Sequence, residues 1–191
     1  MAERLNLPAL VTQLIGHEGE KLEPYVDTVG QTTIGVGRNL DDRPLTDTER
    51  RVIFKEKPNR DFKAEPLSPA ESRFLLMNDI QSATVDLDRR LPWWRDLSEG
   101  RQRALVDMRF NLGQKGLEQF EKTLGALRAG DHDTAAREVL DRQWAKQVGG
   151  RAQHSQAFLA EALEAVGRAA RLERAAAEDL RSGLLHGCGR R

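Results

Sequence analysis

The chain has 191 residues, 39% of them hydrophobic, which is enough for one well-buried core divided at most between two lobes. Thirty basic residues balance thirty acidic ones and only 5% of residues are aromatic. That balance points away from nucleic acid and from a charged membrane surface, and the scarcity of aromatics argues against a base-stacking platform.

The first element runs from Leu7, where Leu7, Leu10, Val11, Leu14 and Ile15 fall on one face at helical spacing. Asn6 is placed to cap this helix, Pro8 is tolerated in its first turn, and Gly16 and Gly19 weaken its end. A hairpin follows: "PYVDT" predicts a strand, "TVGQ" a turn and "TTIGVG" a second strand. On that second strand Thr32, Ile34 and Val36 should point one way, and Thr33, Gly35 and Gly37 the other.

Thr46 and Glu49 have capping-box spacing for a short helix ending near Lys57, and "KPNRDFKAEP" (57–66) predicts a loop. Ser68, Pro69 and Glu71 open a longer helix running to about Arg90. After the bend "LPWWRD", whose Trp93 and Trp94 read as core anchors, Ser98 is placed to cap a helix from there to Leu112, ended by Gly113. Further helices fit 117–129, 132–141 and 151–166. The fold class is α+β: mostly helical, with one small N-terminal sheet.

Within the hairpin, Glu18 follows Leu14 by four residues and Ile15 by three, which puts a carboxyl on the apolar face of the first helix. Burial raises the pKa of such a group and suits it to act as a general acid. Asp27 lies at the end of the first strand beside a polar turn, where it should stay ionised. Two carboxyls with pKa values pushed apart are the equipment for breaking a glycosidic bond. Thr33 adds a hydroxyl across the hairpin, and Gly35 and Gly37 leave room for a ligand against the backbone. Taken alone, the same residues also fit a frayed helix end followed by ordinary turn chemistry.

The ordered set Glu18-Gly19, Tyr25, Asp27, Gly30, Thr33-Ile34-Gly35 and Gly37 resembles the phage-type lysozymes, glycoside hydrolase family 24. The family's catalytic Glu, Asp and Thr match Glu18, Asp27 and Thr33 at the family's own spacing. More weakly, "RALVDMRFNLGQKGLEQFEKTL" (103–124) is similar to the segment behind the family's cleft, and "RQWAKQVGGRA" (142–152) to the stretch that returns an arginine to the active site. By that match Arg151 would pair with Glu18, as a buried acid needs a partner. Asn111 lies on the apolar face of its helix, either supporting the cleft or tying helices together, with the structural role favoured. Arg38 stands where the family often has His, so that flank of the cleft is expected to bind differently.

The resemblance covers roughly residues 8–166 and implies a catalytic region over 1–166. It would comprise a small β lobe (about 17–66), a linking helix (about 69–90) and a helical lobe (about 91–166), with a cleft between the lobes. The extension 167–191, in which six arginines outnumber three acids from residue 168 on, reads as a solvated terminal helix of unassigned role. The implied activity is muramidase hydrolysis of peptidoglycan at the β-1,4 bond between N-acetylmuramic acid and N-acetylglucosamine, with inversion, in phage-mediated lysis. The alternatives are a virion-associated or wall-binding role in genome delivery, and lytic transglycosylase chemistry.

Glu18, Asp27 and Thr33 would be catalytic; Arg151, Gly35, Gly37, Asn111 and Tyr25 would bind substrate or support the site. No cofactor or metal is expected, since the four histidines (His17, His132, His154, His186) lack metal-ligand spacing. The partner would be the glycan strand alone, without nucleic acid or membrane insertion, and the protein a monomer. Cys188 has no partner for an internal disulfide. Early charge at the N-terminus and the lack of a long apolar run predict synthesis in the host cytoplasm without a signal peptide. Action in the periplasm or wall would then follow release.

Overall fold

The computed structural model describes residues 4–27, 30–55 and 59–139. The order of elements is α1 (Leu7–Glu18), β1 (Lys21–Val26), β2 (Thr32–Gly35), β3 (Arg38–Asn39), α2 (Asp47–Phe54), α3 (Pro69–Arg90), α4 (Glu99–Glu118), α5 (Glu121–Ala129) and α6 (His132–Val139). A 3-10 turn at Pro92–Asp96 precedes α4. The expected helices 151–166 and the extension 167–191 lie outside the described residues, as do Cys188 and Arg151. This is a mostly helical α+β fold. The backbone divides into two units, one of Asn6–Leu91 and one taking in the chain from Pro92 onward.

In the first unit the local signals act as the sequence predicts. Asn6 Oδ1 accepts from the Ala9 N–H at 3.1 Å and starts α1. Thr46 with Glu49 and Ser68 with Glu71 form reciprocal capping boxes at the starts of α2 and α3. Each box satisfies amide donors that a helix otherwise leaves without partners. α2 stops at Phe54, short of the expected Lys57, because Lys55 turns out of the helix with φ of 51°. The described part of the loop that follows is fastened by Arg60, which donates to the Ile53 carbonyl at 2.9 Å and pairs with Glu71 at 2.8 Å.

The sheet is antiparallel in the order β1-β2-β3. One segment departs from expectation: "TTIGVG" is not a single strand. β2 ends at Gly35, and the chain turns through Val36 and Gly37 into β3, where Arg38 pairs with Ile34 and Asn39 with Thr33. Gly35 and Gly37 both have φ of +65°. Residues with side chains rarely adopt that conformation, so two glycines placed two apart break the strand. Beneath the sheet, Ile34 is buried with Leu45, Ile53, Leu67 and Leu75, and Leu22, Leu40 and Phe62 pack against this cluster. α3 supplies Leu75 to it and keeps Leu76, Ile80, Ala83 and Leu87 buried along its length.

In the second unit Trp94 is fully buried, as its reading as a core anchor requires, while Trp93 is half-buried. Ser98 does not cap α4 through a backbone amide; its hydroxyl accepts from Arg101 instead. The helix breaks at Gly113 as expected, but a further helical stretch runs on to Glu118 (Gly113 φ 68°, ψ 172°). The expected helix 117–129 starts later, at Glu121. A tight turn bonds the Phe120 N–H to the Leu117 carbonyl and buries the Phe120 ring.

Candidate active site

Glu18, Tyr25, Asp27, Thr33, Gly35 and Gly37 all belong to the first unit. Glu18 is the last residue of α1, half-buried, one turn beyond the fully buried Leu14. Gly19 then turns the chain with φ of 72°, and its N–H bonds to the Ile15 carbonyl. The helix therefore persists far enough to carry the carboxyl on its apolar side, which was the condition for the sequence argument.

The Glu18 side chain lies against Gly37. A methyl group at Gly37 would stand 2.8 Å from Glu18 Oε2 and 3.2 Å from its Cδ. This corrects the reading of the glycines as room for a ligand. The space over Gly37 holds Glu18, and the space over Gly35 holds the Ser72 hydroxyl, 3.3 Å from where a Cβ would sit. Both glycines let the chain pack on itself, and Gly37 seats the acid.

Gly37→Ala therefore meets two obstacles, the left-handed backbone and the Glu18 carboxyl. It is expected to displace the Glu18 carboxyl from its seat. A melting curve should show a loss of only about 1–2 kcal/mol, from the backbone strain.

Asp27 terminates β1 in a small closed turn. Its N–H donates to the Gln31 carbonyl at 2.9 Å, its carbonyl accepts from Gly30 at 3.1 Å, and its Oδ1 accepts from the Gln31 N–H at 2.8 Å. The carboxyl is thereby oriented by backbone on a half-buried residue. Tyr25 lies opposite Thr33 and Val26 opposite Thr32. Asp27, Tyr25, Gln31 and Thr33 consequently share one face of the ribbon by the alternation of side chains. Thr33 is buried on that face.

Burial first, and then the negative charges of Glu18 and Asp27, raise the Tyr25 phenol above the ordinary tyrosine value. The charges of a helix end and a strand end, nine residues apart in sequence, thus both act on one side chain.

Two other residues sit differently from expectation. Arg38 does not line a binding flank: it is 4% exposed and bound inside the unit. Its guanidinium donates to Glu49 Oε2 at 3.0 Å, to the Asp79 carboxylate and to the Arg43 carbonyl at 2.9 Å, while Arg43 pairs with Asp79 at 2.6 Å. The arginine is buried because two acids from α2 and α3 await it, a partnership 41 residues long that no local pattern announces. Asn111 is spent within its own helix, donating at 3.2 Å to both the carbonyl and the carboxylate of the buried Asp107.

Sequence reasoning also missed Gln31 and Asn39, which join the Asp27 turn to β3 through a side-chain hydrogen bond. Asn39 in turn orients Asp41 and Asp42, and Asp41 accepts from the Thr32 N–H at 2.7 Å. The asparagine in a turn-rich stretch was the available signal. Among the described residues, no group of three His, Cys, Asp or Glu side chains could hold a metal ion. No helix among them is long and apolar enough to cross a membrane.

A helix-borne glutamate seated on a glycine turn and an aspartate following the first strand of a three-stranded ribbon, within a mostly helical chain, define a lysozyme-like α+β protein. Residues 15–159 match the family described as phage lysozyme, and the chain belongs to that family. It is 30% identical over 141 residues to the pre-baseplate central spike protein Gp5 of Enterobacteria phage T4, a match covering 71% of this chain and 24% of that protein. It is 29% and 31% identical, over 140 residues each, to the probable T4-type lysozymes 1 and 2 of Dictyostelium discoideum. Those matches cover 69% of this chain and 81% of each relative. The chain thus spans about a quarter of the spike protein's length and most of the two lysozymes'.

Proposed function

We propose that the protein is a muramidase that hydrolyses the β-1,4 bond between N-acetylmuramic acid and N-acetylglucosamine in peptidoglycan. The observation that carries this reading is the Glu18 carboxyl at the end of α1 seated against Gly37 between β2 and β3, with the Asp27 carboxyl oriented by the Gln31 amide on the same ribbon. Membership of the phage lysozyme family and the names of the Dictyostelium relatives support the same chemistry.

In this reading Glu18 protonates the leaving glycosidic oxygen. Asp27, held by the Gln31 amide and accompanied by Thr33, positions and activates a water on the opposite face of the sugar. The two acids then act as an inverting pair, a mechanism that requires about 6.5–9.5 Å between carboxyls for that water. Arg151 pairs with Glu18 in the same scheme. No cofactor takes part. The enzyme is made in the host cytoplasm, works as a monomer and meets peptidoglycan after release.

Product analysis on purified sacculi tests the whole reading. Mass spectrometry should find hydrated muropeptides, and product released early should carry the inverted anomeric configuration. Anhydro products would mean lytic transglycosylase chemistry, and binding without release of reducing ends would mean a wall-binding module.

A second reading, action in genome delivery, is favoured by one observation: the match to a spike protein of which this chain spans 24%. The lysozyme chemistry is common to both readings. Detection of the chain in purified virions would support delivery, and its restriction to lysing cells would support lysis.

A further inference from the structure

β1 does not keep step with β2. Lys21 lies opposite Gly35 and Tyr25 opposite Thr33, so four residues of β1 advance against two of β2. In a regular strand residues four apart lie about 13 Å from each other. Here the stretch between them, which contains Pro24, is irregular, and Lys21 Nζ stands 3.9 Å from the centre of the Tyr25 ring. That is well inside the range in which an ammonium is held by the face of an aromatic ring. Bulges of this kind re-aim side chains and are frequent beside active sites.

The ring so held lies opposite Thr33 across the ribbon and two residues before Asp27, and the charges of Glu18 and Asp27 both raise its phenol. Lys21 adds a cation over the face of this ring.

We propose that Lys21 is a positioning residue for the glycosidic reaction: seated over the Tyr25 ring by the bulge in β1, it fixes the phenol beside Glu18 and Asp27 and through it orients the sugar between them. This rests on the muramidase reading.

Tyr25 is the only tyrosine in the chain, so ultraviolet titration of the phenolate reads this one side chain in the intact protein. Lys21→Met keeps an apolar stem and removes the cation. It should raise the phenol's titration midpoint, whereas Glu18→Gln should lower it and Lys21→Arg should leave it near the parent. On sacculi, Lys21→Met should lower kcat about fivefold with apparent KM within about twofold, and Lys21→Arg should restore kcat to within about twofold. Melting temperatures should stay within about 2 °C of the parent, because a single exposed cation–π contact contributes little to folding.

A loss that appears only in KM, or one that Lys21→Arg does not restore, overturns the proposal. A parent chain that releases no reducing ends sinks the muramidase reading and this role with it. An active parent whose Lys21→Met variant keeps full kcat sinks the role of Lys21 alone.

Discussion

Glu18→Gln is expected to reduce release of reducing ends from sacculi by about 10²–10⁴-fold, the range assigned to a positioned general acid. The fold should survive it. α1 is fastened by its Asn6 cap and by the buried Leu10 and Leu14, and Glu18 is its half-buried last residue. The amide has the same shape as the carboxyl and rests on Gly37 in the same way, but it carries no acidic proton for the leaving oxygen. A melting curve alongside the lysis assay separates the two effects. Parent-rate clearing by Glu18→Gln would end the assignment of Glu18 as the acid.

Asp27→Asn makes the matching test on the other side of the sugar. The Asn oxygen can still accept the Gln31 N–H that Asp27 Oδ1 accepts at 2.8 Å, so the turn should hold while the carboxylate is lost. Replacing either acid should also lower the titration midpoint of the Tyr25 phenol, because each contributes negative charge that opposes phenolate. A variant that loses activity and moves the phenol without moving the melting temperature has lost site chemistry and not structure.

Much of this was legible in the sequence because it is local. The caps at Asn6, Thr46 and Ser68 join residues three apart, and their spacing alone predicts them. Glu18 could be placed on an apolar face because four-residue spacing fixes its direction once the helix reaches it. What the sequence concealed was decided at longer range. The run "TTIGVG" alternates like a strand, yet Gly37 bends away where the Glu18 side chain occupies the space a Cβ would need. Arg38 reads as part of the cleft's flank until Glu49 and Asp79 are brought to it from two helices. The bulge that stacks Lys21 on Tyr25 follows from pairing with β2, which spacing along β1 cannot express.

Arg38→Met is expected to cost about 3–5 kcal/mol at neutral pH, because removing one member of a buried ion cluster leaves the other charges unmatched. At present two guanidiniums face two carboxylates: Arg38 and Arg43 against Glu49 and Asp79. Burial pushes Asp79 up to about 6 against the pull of both arginines, and hydrogen bonds from Thr46, Asn78 and Arg38 outweigh burial at Glu49 and hold it near 2. Without Arg38, Asp79 keeps its burial and loses a cation, so its pKa rises further. An acid whose folded pKa lies above its unfolded value binds more protons folded than unfolded, so stability falls as pH rises between the two values. The deficit of Arg38→Met should therefore be largest near pH 7 and shrink as pH is lowered toward about 5, where Asp79 takes up its proton. Arg38→Lys restores a charge but not the planar fork that meets Glu49 and Asp79 together, so it should recover only part of the loss. Denaturant melts of the three proteins at pH 5 and pH 7 decide the matter: a deficit for Arg38→Met that is small, or that grows toward acid, would mean the cluster does not hold α2, α3 and the sheet together as its geometry indicates.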